Sequence, residues 1–327
     1  MSGSDRGGAT TGRGGLRSWS IGHLAPVGRF YAGRRPSGVA VVDDVLPHPL
    51  ESVRLRTYSP ARGAADTRAV ILYYPSAADV AALRGRVGEW LCGSLAKQLP
   101  AVVVRVDVSP EVTGQSEAGY EAVRWAAARH PHAQLAVLGA GDGGSLAARV
   151  SMLARDERSR AELPDDATDP FRTHTPSTDT ISTDASRTDT PSTDASRTDT
   201  PSTRGPVSPH LERQALITPD FSLIAGPPAT ADALAASLVA RLSELPPTLL
   251  QRPLASSAQL GGENLAVLLR EAGVAVREIE YPKTAVGWAS YPRAVGHSGR
   301  ALDDLVAFFR RGLIDDGFDV VPAWNVH

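Results

Sequence analysis

The sequence is poor in the residues that make covalent or metal cross-links. Among 327 residues there is one cysteine, so no disulfide can form within the chain and the fold does not depend on an oxidising compartment. That residue, Cys92, sits in the apolar run Trp90-Leu91-Cys92 and reads as a small buried core residue. No cysteine and histidine cluster has metal-ligand spacing, so no metal or cofactor is expected; His130 and His132, either side of Pro131, read as loop residues. An excess of basic charge is also missing. Lys+Arg number 34 against 36 Asp+Glu, a formal net charge of -2, which argues against a nucleic-acid surface. No apolar stretch is long enough to span a bilayer, and the Gly/Ser/Thr/Arg-rich start has no apolar signal core. A cytoplasmic protein without a membrane span is the expectation.

What is present is an ordinary globular composition, 42% hydrophobic and 21% charged, interrupted by one low-complexity stretch. From Asp165 to Pro206 the chain is rich in Thr, Ser and Asp, and TDASRTDTPS at Thr183–Ser192 recurs unchanged at Thr193–Ser202. With almost no large apolar side chains, this segment cannot offset the entropy of ordering and reads as a disordered insertion, 161–206. Residues 1–38 read as a largely disordered N-terminal tail and 316–327 as a C-terminal tail. The domain proper is expected over 39–160 and 207–315.

Within those limits strands and helices alternate. Val39–Leu46 and Val53–Tyr58 read as an antiparallel pair. Ala69–Tyr74, Ala101–Val106 and Gln134–Leu138 are short apolar runs of the buried-strand kind. Helical spacing covers Val80–Gln98, Glu117–Arg129 and Ser145–Asp156, the last after a glycine-rich turn at Gly139–Gly144. Beyond the insertion come strands at Gln214–Thr218, Pro247–Gln251 and Ala275–Tyr281. Helices lie at Ala231–Leu245, Asn264–Ala272 and Arg300–Leu313, the last with Leu302, Leu305, Val306, Phe309 and Leu313 on one face. This order predicts an α/β fold, a mostly parallel central sheet with helices on both faces and its site at the carboxyl ends of the strands.

Several segments carry a more specific likeness. They are Val53-Arg54-Leu55-Arg56-Thr57-Tyr58-Ser59-Pro60, Asp107-Val108-Ser109-Pro110-Glu111, Leu138 to Ala148 (LGAGDGGSLAA), Leu245-Pro246-Pro247-Thr248-Leu249-Leu250 and Leu269-Arg270-Glu271-Ala272-Gly273-Val274. In order and spacing the chain resembles the hormone-sensitive-lipase branch of the α/β-hydrolases. The resemblance implies a serine nucleophile on a sharp strand-to-helix turn, a histidine base, an acid that orients it, and an oxyanion-hole loop.

Matched by position, the nucleophile falls on Gly141, the acid on Ser256 and the base on Val286. The oxyanion motif falls on Tyr74-Pro75-Ser76-Ala77, where Pro75 has no amide hydrogen. None of the three triad positions holds a side chain able to do its task, and glycine at 141 keeps the turn while giving up the chemistry. Only about one helix fits where the family's lid lies, so the lid is reduced. The expectation is a catalytically degenerate hydrolase that binds a small apolar ligand in a pocket near Tyr74, Gly141, Asp142 and Trp288. The resemblance offers a precedent in the plant gibberellin receptors, relatives that replace the catalytic histidine. A hydrolase with a shifted nucleophile, Asp142 served by His297, is the enzymatic alternative, with Ser145 a weaker nucleophile still. A homodimer or partner-binding subunit is the third reading.

Overall fold

The computed structural model describes residues 28–47, 52–61, 67–83, 86–109, 114–162, 208–220, 224, 231–253, 262–282, 287–293 and 296–315. The repeat-bearing insertion and the C-terminal tail lie outside them. The elements are α1 (Gly28–Tyr31), β1 (Val39–Leu46), β2 (Val53–Pro60), β3 (Ala69–Tyr74), α2 (Ala77–Leu83), α3 (Glu89–Gln98), β4 (Ala101–Asp107), α4 (Gln115–Arg129) and β5 (Gln134–Ala140). They continue with α5 (Asp142–Glu162), β6 (Leu211–Ile217), α6 (Ala231–Leu242), β7 (Thr248–Pro253), α7 (Gly262–Glu271), β8 (Val276–Tyr281) and α8 (Ser298–Leu313).

The eight strands form one sheet in the order β1-β2-β4-β3-β5-β6-β7-β8. β1 pairs antiparallel with β2, and β2 with β4; every later pairing is parallel. The period of two along each strand sorts its side chains onto two faces. On β3, Val70, Leu72 and Tyr74 enter the core shared with α4, α5, α6 and α7. Ala69, Ile71 and Tyr73 enter the core shared with α3 and α8. All six are buried, which is why the run is continuously apolar rather than alternating. The apolar stripe of α8 is buried as its spacing requires, with Leu305 and Phe309 fully inaccessible. Cys92 is also fully buried, and burial pushes its thiol pKa well up, so it is held as the neutral thiol.

Two expectations change. The helix read over Val80–Gln98 is two helices: α2 ends at Leu83, and α3 starts anew after Gly88, whose φ of 70° is not helical. The N-terminal tail read through residue 38 has an ordered end. Ala32 is buried with Leu83, Val87 and Tyr291 in a third apolar cluster, and Arg293 N–H donates to Tyr31 O. Among the described residues, no helix is long and apolar enough to cross a membrane.

Candidate functional site

β5 ends at Ala140, and one residue later the chain is helical. Gly141 makes that turn. Its N–H still extends the sheet, donating to Ile217 O at 2.8 Å, while its carbonyl already accepts the Gly144 and Ser145 amides at 2.9 and 3.3 Å. The two directions are reconciled by a φ of +60°, which costs a residue with a Cβ about 1–2 kcal/mol. Tightness is set two residues further on. A Cβ at Gly143 would lie 2.3 Å from Tyr74 O, so α5 starts directly against the end of β3. The result is a sharp strand-to-helix elbow at the carboxyl edge of the sheet, where a parallel α/β sheet gathers its functional groups.

Gly141, at the tip of the elbow, carries no side chain. An ideal Cβ on Gly141 would meet Ser76 Cβ at 3.3 Å and Ser76 Oγ at 3.4 Å, so Ser76, from the loop after β3, crowds the space into which an elbow side chain would project. Asp142 opens α5, where a negative charge is favoured. Both of its carboxylate oxygens accept the Ala77 N–H at 3.2 Å. Ala77 is the first residue of α2, so this is one of the orphan amides of a helix start, and it is already engaged.

A second carboxylate lies close by. Asp79 is buried, and Ser290 Oγ–H donates to it at 2.6 Å. Burial raises its pKa from the usual 3.8 to about 6; the Ser290 hydrogen bond works against that rise and the charge of Asp142 adds to it. Buried polar atoms without a hydrogen-bond partner among the described residues include Thr218 Oγ1, Trp288 Nε1 and Tyr291 Oη. Such atoms are uncommon in folded proteins and cost about 1–3 kcal/mol each unless water or a ligand satisfies them.

The residues expected at the site are only partly brought together. Gly141 and Asp142 occupy the elbow. Ser256 and Val286 lie outside the described residues. His297 is exposed with a φ of 64° just before α8, and no histidine among the described residues hydrogen-bonds to Asp142. Ser145 is wholly buried and its hydroxyl donates to Asp220 O at 2.8 Å, which removes it as a nucleophile. Tyr74 and Trp288 do not share a pocket. Tyr74 packs in the α4/α5 core with its hydroxyl donated to Gly119 O, while Trp288 is buried in the core on the other face of the sheet. The alternation along β3 puts Tyr73, not Tyr74, on the Trp288 side. Ser76, Asp79 and Ser290 were missed from sequence. The spacing Ser76-x-x-Asp79 just before an apolar run has the form of a helix start, and it could have drawn notice to the loop.

Comparison with known proteins bears on this geometry. The model of a family described as alpha/beta hydrolase fold, the hormone-sensitive-lipase-like group, matches residues 82–290. The chain belongs to this family. Among solved structures it is similar to an esterase of Pyrobaculum calidifontis, with TM-score 0.60, 21% identity, and coverage of 89% of this chain and 90% of that one. It is also similar to a thermostable esterase from Pseudomonas putida, with TM-score 0.60, 18% identity, and coverage of 89% and 88%. A fungal esterase from Rhizomucor miehei gives TM-score 0.60, 18% identity, and coverage of 90% and 89%. At these identities the likeness is one of fold. No curated protein matches the chain. Within this hydrolase fold, Gly141 stands on the strand-to-helix turn after β5, and the loop Tyr74-Pro75-Ser76-Ala77 follows β3 beside it.

Proposed function

We propose that this member of the alpha/beta hydrolase family is a catalytically degenerate esterase-like protein that binds a small ligand at the carboxyl edge of its sheet without cleaving it. The observation that carries the reading is the contact between Asp142 and Ala77. Acyl transfer needs a free amide aimed at a developing oxyanion. At this elbow the Ala77 amide points at a carboxylate instead. An oxyanion placed there would face like charge, which a site built for acyl transfer avoids. Gly141 supplies no nucleophile, and Ser76 fills part of the space a nucleophile would use.

Ligand binding draws support from the polar atoms left over. Trp288 Nε1 and Tyr291 Oη are buried potential donors, and a small molecule with hydrogen-bond acceptors would satisfy them. The reading is tested with a fluorophosphonate probe, which forms a stable adduct on an activated serine. Intact-mass measurement is expected to show no adduct under conditions that fully label an active esterase. Stoichiometric labelling of one serine would overturn the proposal.

A further inference from the structure

A second feature shares none of the elbow residues. The chain has a net charge of -2, yet one open cavity of about 640 Å³ is lined by Arg34, Arg35, Arg56, Arg86 and Arg293, with Glu89 as the acidic residue in its lining. The arginines come from separate stretches of chain: the segment before β1, strand β2, the turn before α3 and the loop before α8. Their convergence is therefore a product of the tertiary fold and not of a basic run in the sequence.

Glu89 is already in use. Its Oε1 accepts Tyr58 O–H at 2.8 Å and lies 3.1 Å from Arg56 Nε, though without hydrogen-bond geometry, and its Oε2 lies 4.0 Å from Arg35. Asp43 adds a contact to Arg56 at 3.6 Å, but from the exposed edge strand and outside the cavity lining. Neither Arg34 nor Arg293 has a carboxylate partner among the described residues. Arg34 and Arg293 thus add positive charge to the cavity that no carboxylate there offsets, and the arrangement is most favourable when an anion occupies it.

The segment bearing Arg34 and Arg35 is also fixed in place. A Cβ at Gly33 would lie 2.3 Å from Trp90 Cβ and 2.7 Å from Pro292 Cγ, so the backbone lies flat against both residues. Ala32, one residue earlier, is buried with Leu83, Val87 and Tyr291. The Arg293 N–H donates to Tyr31 O at 3.3 Å. Two arginine-bearing segments are thus clipped to each other, which lowers the ordering cost of a ligand that bridges them.

We infer that this cavity is an anion site for a ligand carrying two or more phosphate groups. Guanidinium is the side chain best matched to phosphate oxygens, in bidentate geometry, and a cavity of several hundred Å³ takes a small molecule. Phosphate chemistry of this kind reaches a protein as a soluble polyphosphate or as a phosphorylated lipid headgroup. The two sources are separated by titrating the full chain with inorganic tripolyphosphate, and by sedimenting it with phosphatidylcholine vesicles doped with phosphatidylinositol bisphosphate or with phosphatidylserine at equal charge. Saturable 1:1 binding of tripolyphosphate that weakens with salt is expected. Arg34→Gln and Arg293→Gln, which keep the apolar stems, should each weaken it by about tenfold. Arg160→Gln, on the exposed end of α5, should leave it unchanged. Capture by the bisphosphate vesicles but not the serine ones, displaced by tripolyphosphate, would assign the lipid source; tripolyphosphate binding alone would assign the soluble one. No saturable binding to either probe, or binding indifferent to both Arg34→Gln and Arg293→Gln, would overturn the inference.

Discussion

The Asp142 carboxylate accepts the Ala77 amide hydrogen with each oxygen 3.2 Å from the nitrogen. That contact ties the first residue of α5 to the first residue of α2, and so links the elbow to the loop after β3. Asp142→Ala leaves the Ala77 N–H without its partner and removes a charge from a helix start; a loss of about 1–2 kcal/mol is expected. Asp142→Asn keeps an oxygen acceptor and should cost under about 1 kcal/mol. Urea unfolding of the two variants measures both values.

Two glycines at the elbow should respond differently to an added side chain. Gly141→Ser meets an unfavourable φ of +60° and the nearby Ser76, and is expected to lose about 1–2 kcal/mol without gaining ester hydrolysis. Gly143→Ala would place its Cβ 2.3 Å from the Tyr74 carbonyl oxygen, a backbone clash that no side-chain rotation relieves. It should lose roughly 3 kcal/mol or fail to fold, as overpacking at a rigid contact does. The order of the two melting temperatures is the check.

Asp79 gives the fold a pH dependence of defined sign. The groups acting on it are the Ser290 hydroxyl and the Asp142 charge, and its own charge acts in turn on the buried Tyr73 and Tyr291. Its pKa is raised from 3.8 to about 6, so between those values the folded chain holds a proton that the unfolded chain has released. Stability contributed by this group therefore falls as pH rises from about 4 to 6 and is flat above. Asp79→Asn keeps an acceptor for Ser290 and removes the ionisation. Relative to the parent it should gain stability as pH rises through that window, by up to about 3 kcal/mol at neutral pH. Equal slopes for parent and variant would refute this.

The Thr/Ser/Asp-rich segment should be dispensable for the fold. α5 ends at Glu162 and β6 begins at Leu211, and the two ends are near each other because the Arg158 guanidinium contacts the His210 ring. Replacing 165–206 with a Gly/Ser linker of about eight residues would still span such a gap. The melting temperature is expected to stay within about 2 °C of the parent; cooperative unfolding lost in the shortened chain would show that the segment packs on the domain.

Much of the fold was legible in the sequence because buried parallel strands must be apolar on both faces. Val70-Ile71-Leu72 and Val102-Val103-Val104 announce themselves in that way. The break between α2 and α3 was not legible, since Val80, Leu83, Val87 and Leu91 keep helical spacing across the φ reversal at Gly88. At the site, the ordered glycines around Gly141 gave the elbow, because positive φ and close approach leave few residues that fit. The partner of Asp142 was hidden, since it is a backbone amide contributed by a residue 65 positions away. Tyr74 was placed on the wrong side because its face depends on strand parity, which an all-apolar run conceals. The arginine cavity was not legible at all: its residues are scattered in sequence and meet only through tertiary packing.

If this member of the hydrolase family binds its ligand without cleaving it, ester hydrolysis should be absent. The direct measurement is the rate of p-nitrophenyl acetate hydrolysis by purified protein, beside its Gly141→Ser and Asp142→Asn variants. All three are expected to match the buffer rate. Turnover by the parent chain that survives purification and is abolished in Asp142→Asn would contradict that reading, because Asp142 would then be a nucleophile and not a carboxylate that holds the Ala77 amide.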